Sequence, residues 1–195
     1  MNRRDAIKNI GLTLGYTATI PSAFSILQSC QTKENQWKPI FFDTDEGLVI
    51  KNLIDLMLPK TEKTPGALDV NVPEFIDLYA YKVYDQEQAA QYRIEIQSIL
   101  KALPITESGV SKLKNEDYDD LLKRYLKTSK KEQQQFKKDK DITYKALVNL
   151  RNQAVWAFKT SEVIGENVLA YDPIPASQKG CISVEEATRG KAWSL

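Results

Sequence analysis

The sequence predicts an all-α fold, a compact multi-helix domain with long irregular loops and an extended C-terminal tail. Residues able to cap a helix stand before two of the predicted helices, and Pro59 ends the first of them. Apolar residues also recur at helical spacing in three long segments. These segments are residues 44–58, 86–103 and 142–159.

The first predicted helix runs from Thr44 to about Leu58. Asp43 or Thr44 can cap it, and Asp45 and Glu46 in its first turn complement the helix dipole. Its apolar residues fall on two adjoining stripes, so we expect a broad buried face. The stripes are Val49, Leu53, Leu56 and Met57, and Ile50, Ile54 and Leu58.

A loop with a specific sequence follows this helix. It contains a Thr-Pro-Gly turn, in which Pro65 presets its own backbone angle and Gly66 can supply a positive φ. The next predicted helix has Pro73 in its first turn. Glu74 and Asp77 then lie near the positive end of its dipole, which they should stabilise.

The middle of the chain is predicted to be helical and to carry no chemistry. Asn115 can cap a helix that extends through Lys127, and the acidic group in its first turn is expected to complement the dipole and not to bind a metal. Residues 127–141 mix both signs of charge, which favours an exposed helix start or connection. Residues 142–159 should form a central helix, in which Trp156 serves in packing.

The C-terminal tail is irregular, rich in proline and aromatic near its end, so it can add little to a core. Such a tail drapes over its own domain or docks on a partner, and the residues themselves leave both possibilities open. Ser161 and Glu162 are predicted to be a cap or turn pair, because a serine beside a carboxylate lacks the histidine base of a nucleophilic site. Cys181 is predicted to be a small buried residue.

The N-terminus has the layout of an export signal. Arg3 and Arg4 in a polar, cationic start resemble the twin-arginine motif, and an apolar stretch up to Leu27 follows. Small and polar residues interrupt this stretch, so it favours a signal over a permanent membrane-spanning helix. Leu27 and Ser29 before Cys30 resemble the lipobox of bacterial lipoproteins. This predicts a lipid on Cys30, against the alternative of a plain free cysteine.

The predicted organisation is a twin-arginine export signal at residues 1–29, a lipidated N-terminus and tether at residues 30–43, and one helical domain at residues 44–195. Acyl chains on the cysteine would tether the domain to a membrane surface without embedding it. We therefore expect the protein on the periplasmic side of a membrane.

The composition argues against several function classes. With 27 basic and 26 acidic side chains, the chain is near neutral and gives no electrostatic case for binding nucleic acid. The absence of histidine removes Ser/His and Cys/His dyads and imidazole ligands for haem or zinc. The 8 glycines form neither a dinucleotide fingerprint nor a P-loop. We therefore predict no catalytic residue, cofactor or metal in this chain.

Two stretches carry a family resemblance. The first reads Thr-Pro-Gly-Ala-Leu-Asp at residues 64–69 and Val-Pro-Glu-Phe-Ile-Asp at residues 72–77. The second reads Thr-Ser-Glu at residues 160–162, continues with a Tyr, Pro and Gly-Cys tail, and ends in Gly-Lys-Ala-Trp at residues 190–193. Together they resemble the gluconate 2-dehydrogenase subunit 3 family, the small subunit of membrane-bound flavin dehydrogenases.

The resemblance implies a non-catalytic subunit that accompanies a large FAD-containing dehydrogenase subunit of the glucose-methanol-choline type, often with a cytochrome c subunit that holds haem c. It also implies that the small subunit supports assembly and export of the flavin subunit, and it favours partner docking for the tail. The candidate docking residues are Pro65, Gly66, Pro73, Glu74, Phe75, Tyr171, Pro173, Cys181 and Trp193.

Two other function classes stay open. A stand-alone periplasmic enzyme would have to work with carboxylates or tyrosines alone, and their spacing singles out no pair. A stand-alone lipoprotein could instead bind a small ligand or another partner in a helical pocket.

Overall fold

The computed structural model describes residues 37–106, 109–174 and 180–194. The chain divides into two units, Met1–Trp37 and Lys38–Leu195, and Trp37 is the part of the first unit that is described. The predicted export signal, with Arg3 and Arg4, and the predicted lipidation site at Cys30 lie outside the described residues.

Helices form most of the described part of the second unit, which confirms the predicted all-α fold. The α-helices are α1 (Thr44–Met57), α2 (Val72–Val83), α3 (Gln86–Ala102), α4 (Asn115–Tyr125), α5 (Lys130–Lys138), α6 (Ile142–Thr160) and α7 (Val184–Thr188). Short 3-10 turns lie at Leu68–Val70 and Val110–Lys112, and a π-helical turn lies at Val163–Val168.

The first helix begins where its cap was predicted. The Asp43 side chain accepts a hydrogen bond from the Glu46 amide at 2.7 Å, and the Glu46 carboxylate accepts one from the Asp43 amide at 3.1 Å. This reciprocal pair satisfies two amides at the start of the helix. The predicted stripes are buried through Ile54, whereas Leu56 and Met57 are only half-buried.

The helix α6 is central, as predicted. It packs against all five preceding α-helices, most extensively against α3. Leu147 and Leu150 on α6 are completely buried, and the predicted apolar stripe of α3 is buried through Tyr92, Ile96 and Ile99. The core therefore lies around α6, and the other helices expose their outer faces.

The carboxylate of Asp77 holds the start of the domain against α2. Its oxygens accept hydrogen bonds from the backbone amides of Ile40, Phe41 and Phe42 at 2.8, 2.9 and 3.0 Å. Asp77 is 1% exposed, so the prediction that it mainly complements the helix dipole misses its principal role. Arg93 on α3 also holds the start of the domain, because its guanidinium donates a hydrogen bond to the Phe41 carbonyl at 2.6 Å.

The helix α4 buries one apolar face, which includes Tyr118 and Leu121, and exposes the opposite face. Asn115 is the first residue of α4 and not its cap, because Lys114 holds the cap position and its amide donates to Asp117 at 2.8 Å. The acids beyond the first turn make ion pairs near the surface, as in the contact between Asp119 and Lys127 at 2.7 Å. The helix ends at Tyr125, earlier than predicted, since α5 begins a few residues later.

The exposed character predicted for residues 127–141 is confirmed. The α5 helix buries none of its residues. Its one aromatic anchor is Phe136, whose ring lies 5.2 Å from that of Tyr125 and 5.4 Å from that of Tyr144. Among the described residues, none of the helices is both long and apolar enough to span a bilayer.

Candidate functional site

An apolar groove opens at the surface between α2 and α6. Phe75 and Tyr79 on α2 meet Trp156 on α6, with ring centroids 5.4 Å apart in both pairs. Tyr84, which follows α2, packs edge-on against Tyr79 at 5.7 Å. The groove has a volume of about 330 Å³. We call it the aromatic groove; it is lined by Phe75, Ile76, Tyr79, Tyr84, Asn152, Gln153 and Trp156.

The packing of the two helices holds the groove open to solvent. Ile76 and Ala80 turn one face of α2 into the core, and Ala154 and Ala157 do the same for α6. Side chains on the outer faces of α2 and α6 consequently remain exposed to solvent. The exposed fractions of Phe75 and Trp156 are 41% and 44%, although both rings are held by their neighbours.

Hydrogen bonds fix the polar end of the aromatic groove. The Gln153 amide donates to the Tyr84 hydroxyl at 2.5 Å and accepts from the Tyr92 hydroxyl at 2.7 Å. Burial raises the pKa of both tyrosines, and the hydrogen bond from Gln153 opposes this rise in the pKa of Tyr84. Both phenols therefore stay protonated near neutral pH, and the lining of the groove carries no charge.

Three of the predicted docking residues lie together at the start of α2. Pro73 is buried in the first turn, Glu74 is half-buried, and Phe75 lines the aromatic groove. One carboxylate oxygen of Glu74, Oε2, is buried and makes no hydrogen bond to any described residue. This side of α2 thus places an exposed aromatic ring next to a half-buried glutamate, one oxygen of which is buried without a partner among the described residues.

Pro65 and Gly66 lie in a loop beside the π-helical turn. The loop is closed by the Thr61 side chain, which accepts from the Thr64 amide at 3.0 Å. The prediction of a positive φ at Gly66 is wrong, because positive φ among described glycines occurs at Gly109 and Gly190. Glycine is required at 66 for space: a Cβ there would lie 2.7 Å from the Lys60 backbone nitrogen.

The tail folds back on itself. Whether it lies on its own domain or docks on a partner stays a prediction. Ala170 donates to the Ala192 carbonyl at 2.8 Å, and the Ser194 amide donates back to Ala170 at 3.0 Å. Tyr171 and Trp193 flank this bridge and are 50% and 53% exposed. Both line a cleft of about 420 Å³, whereas Pro173 lies exposed just beyond it.

Cys181 is exposed, and the prediction that it is buried is wrong. Its backbone φ is 52°, in the left-handed region, because the chain turns there before α7. Its thiol is therefore directed away from the core positions that a small apolar residue would fill.

Ser161 and Glu162 form the predicted turn. The Ser161 hydroxyl donates to the Phe158 carbonyl at 2.7 Å and ends α6, and Glu162 precedes the π-helical turn. Within the described ranges, no group of three or more carboxylates and thiols could hold a metal ion.

The sequence interpretation missed Leu78, Tyr79, Tyr84 and Trp156 as surface residues of the site. A signal for part of this set was present. The α2 helix has apolar residues on more than one face, with Phe75 and Leu78 opposite the buried Ile76 and Ala80. A helix with more apolar surface than one core contact needs indicates a second interface.

The chain was compared with protein families, curated proteins and solved structures. The family model for gluconate 2-dehydrogenase subunit 3 matches residues 44–176. Neither a curated protein nor a solved structure gave a significant match. The family match includes α1 to α6, the aromatic groove and the predicted docking residues up to Pro173. Because it spans more than half of the 195 residues, this chain belongs to the gluconate 2-dehydrogenase subunit 3 family.

Proposed function

We propose that the chain is the non-catalytic small subunit of a membrane-anchored dehydrogenase that oxidises a sugar or sugar acid. Its partner is a large FAD-containing subunit of the glucose-methanol-choline type, and the complex can include a cytochrome c subunit with haem c. Family membership supports the coarser part of this proposal, an accessory subunit in an oxidoreductase complex. The finer part depends on the surface of the chain.

The observation that carries the proposal is the exposed aromatic groove. Tightly bound protein partners usually insert large side chains into such pockets, and aromatic residues dominate the binding energy. Leu78, 47% exposed, extends the apolar surface beside Phe75. Because neighbouring rings already hold Phe75 and Trp156, their ordering on binding costs little conformational entropy.

We assign FAD to the partner because the groove does not fit it. A flavin dinucleotide needs a cradle of backbone amides or cationic side chains for its diphosphate. The side chains that line the aromatic groove are all uncharged. Its volume of about 330 Å³ suits one or two protein side chains better than a dinucleotide.

The export signal gives the subunit a second task in this proposal. Twin-arginine signals serve a translocase for folded proteins, so a flavin subunit that folds around FAD in the cytoplasm could cross the membrane bound to this chain. Arg3 and Arg4 would direct the pair, and acylated Cys30 would hold it on the periplasmic side of a membrane.

Cell fractionation tests this carrier role. Replacing Arg3 and Arg4 by lysine keeps the charge of the signal but removes the paired arginines. We expect this variant to leave both the subunit and the flavin-containing partner in the cytoplasm. Continued export of the partner with the double variant would disprove the carrier role. An Arg189→Lys variant, altered at an exposed position of the tail, serves as the control and should be exported normally.

The aromatic groove also favours a second candidate, a lipoprotein that binds a small apolar ligand without a protein partner. Native mass spectrometry of the chain released from membranes discriminates the two. A bound small molecule with no protein companion would support the second candidate, whereas a companion of flavoprotein size would support the first.

A further inference from the structure

A second cleft lies between α3 and α6, next to the aromatic groove. Its volume of about 540 Å³ falls within the range of about 300–1,000 Å³ that is typical of small-molecule sites. It shares Tyr84 and Gln153 with the aromatic groove, but most of its lining residues carry polar groups. We call it the polar cleft, and its lining includes Tyr84, Gln91, Tyr92, Glu95, Asn149 and Gln153.

A directional chain of hydrogen bonds in this lining ends in an unused donor. The Tyr92 hydroxyl donates to the Gln153 carbonyl at 2.7 Å, and the Gln153 amide donates to the Tyr84 hydroxyl at 2.5 Å. Tyr84 is therefore the acceptor in its bond with Gln153, and its own proton has no acceptor among the described residues. Because a phenol can donate as well as accept, Tyr84 keeps one donor for a further partner.

A second set of contacts leaves an acceptor unused. The Asn149 amide donates to one oxygen of Glu95 at 2.9 Å, and the Lys145 ammonium pairs with the other oxygen at 2.9 Å. Glu95 is 3% exposed, so its buried charge is balanced by that of Lys145. The side-chain carbonyl of Asn149 receives no donor from the part of the chain that the structure describes. Nor does the exposed side chain of Gln91 make a hydrogen bond within that part.

We propose that the polar cleft binds a neutral, polyhydroxylated molecule, a monosaccharide or a sugar alcohol. Each hydroxyl group of such a ligand both donates and accepts a hydrogen bond. It therefore matches the Tyr84 donor, the Asn149 acceptor and the Gln91 amide, which offers both. The ring of Tyr84 adds the apolar area that small-molecule sites combine with a few polar groups.

The charges of the lining favour a neutral ligand. The residues that line the polar cleft include two carboxylates, Glu87 and Glu95, and none of them is basic. Lys145 balances Glu95, whereas Glu87 has no ion pair with a described residue, so a ligand carboxylate would be repelled. An ammonium group would be attracted, but it has no acceptor and would leave the Tyr84 donor unused.

Packing of α3 against α6 is the competing explanation for these polar groups. The Tyr92–Gln153 bond and the contacts of Glu95 join the two helices, so they stabilise the fold without any ligand. That explanation gives no role to the unused donor of Tyr84 or to the side chain of Gln91. Replacements at these two positions therefore separate the two explanations.

The test uses the full chain in detergent micelles without the flavin subunit, because the inference does not depend on the proposed function. Titration with sorbitol and with glucose is followed by NMR of the side-chain amides of Asn149 and Gln153. We expect their signals to shift until they saturate, which gives a dissociation constant. Gln91→Ala and Tyr84→Phe should each weaken binding at least about threefold, and Gln91→Ala should leave the melting temperature unchanged.

Two control variants make the same changes outside the polar cleft. Gln97→Ala alters an exposed glutamine of α3, and Tyr81→Phe alters an exposed tyrosine of α2. Both should bind sorbitol like wild type. Equal binding by the cleft variants and their controls would overturn the site in favour of helix packing, and so would the absence of a saturable shift with either sugar compound. Both results would leave the proposed function intact.

A matched set of ligands tests the assigned charge. Sorbitol, gluconate and glucamine differ in one terminal group, which is a hydroxyl, a carboxylate and an ammonium group respectively. We expect sorbitol to bind to the wild-type chain more tightly than the other two. Tighter binding of gluconate or of glucamine would overturn the assignment of a neutral ligand.

Discussion

The rings of Phe75 and Trp156 lie 5.4 Å apart at an angle of 60°, and they join α2 to α6 at the protein surface. The two residues are 81 positions apart in sequence, yet their rings form neighbouring parts of the lining of the aromatic groove. A contact between two large rings that remains exposed to solvent is more typical of a binding surface than of a hydrophobic core.

Replacement of Trp156 by alanine is expected to weaken binding of the flavin subunit by about 2 kcal/mol or more, since it removes one wall of the groove. Isothermal titration calorimetry with the separated subunits would measure the change. Ile142→Ala is the control, because Ile142 is 47% exposed on the same helix but far from the groove lining. Equal binding by both variants would disprove the role of the groove.

Replacement of Asp77 by alanine is expected to lower the free energy of unfolding by about 3–5 kcal/mol, because it strips three backbone amides of their acceptor. Urea denaturation followed by circular dichroism would measure this loss. Asp55→Ala removes an exposed carboxylate from α1 and should change the free energy of unfolding by less than about 0.5 kcal/mol. If Asp77→Ala lowered the free energy of unfolding no more than Asp55→Ala, the role of Asp77 in holding the start of the domain against α2 would be contradicted.

Replacement of Gly66 by alanine is expected to destabilise the chain by about 1–3 kcal/mol, since the new methyl group would overlap the Lys60 backbone. Gly180→Ala is a matched control because a Cβ at that position would meet nothing within 4 Å. We expect the control to be neutral or stabilising by less than about 1 kcal/mol. Similar melting temperatures for the two variants would contradict the close approach at residue 66.

Glu46 should give the stability a definite pH dependence. Burial, the largest cause, raises the pKa of its carboxyl above the usual value of 4.5, while the hydrogen bond from the Asp43 amide opposes this rise. The favourable contribution of Glu46 is therefore complete below pH 4.5 and is lost as the pH rises through the folded-state pKa. The free energy of unfolding of wild type relative to Glu46→Gln should fall over that range.

Chemical denaturation of both proteins at a series of pH values from 3 to 8 would measure this difference. Because the glutamine side chain can keep the capping hydrogen bond, the comparison isolates the ionisation. A difference that grew with increasing pH would show that the Glu46 pKa is lowered on folding, contrary to the expectation.

The helices could be predicted because their signals are local. Capping by Asp43 and the apolar spacing of α1, α3 and α6 lie within single segments of sequence, and the structure confirms them. The end of α4 was placed too late, because the turn into α5 depends on the packing of Phe136 between rings from two other helices.

The candidate site could be predicted only in part. Phe75 was found through its family motif, but Trp156 was assigned to packing since nothing in the sequence indicates which distant ring it meets. Asp77 was interpreted by its helix position, whereas its hydrogen-bond donors lie more than thirty residues earlier. Cys181 was expected inside because cysteine is often buried, and the left-handed turn that exposes it has no local signal.

The most direct test of the central claim is isolation of the chain from detergent-solubilised membranes by an affinity tag at its C-terminus. Absorbance spectra and mass spectrometry would then identify what accompanies it. The account predicts a companion protein that carries FAD, in a fixed ratio to this chain, and loss of that companion with Trp156→Ala but not with Ile142→Ala. Absence of any flavin-containing companion at every detergent strength would contradict the account.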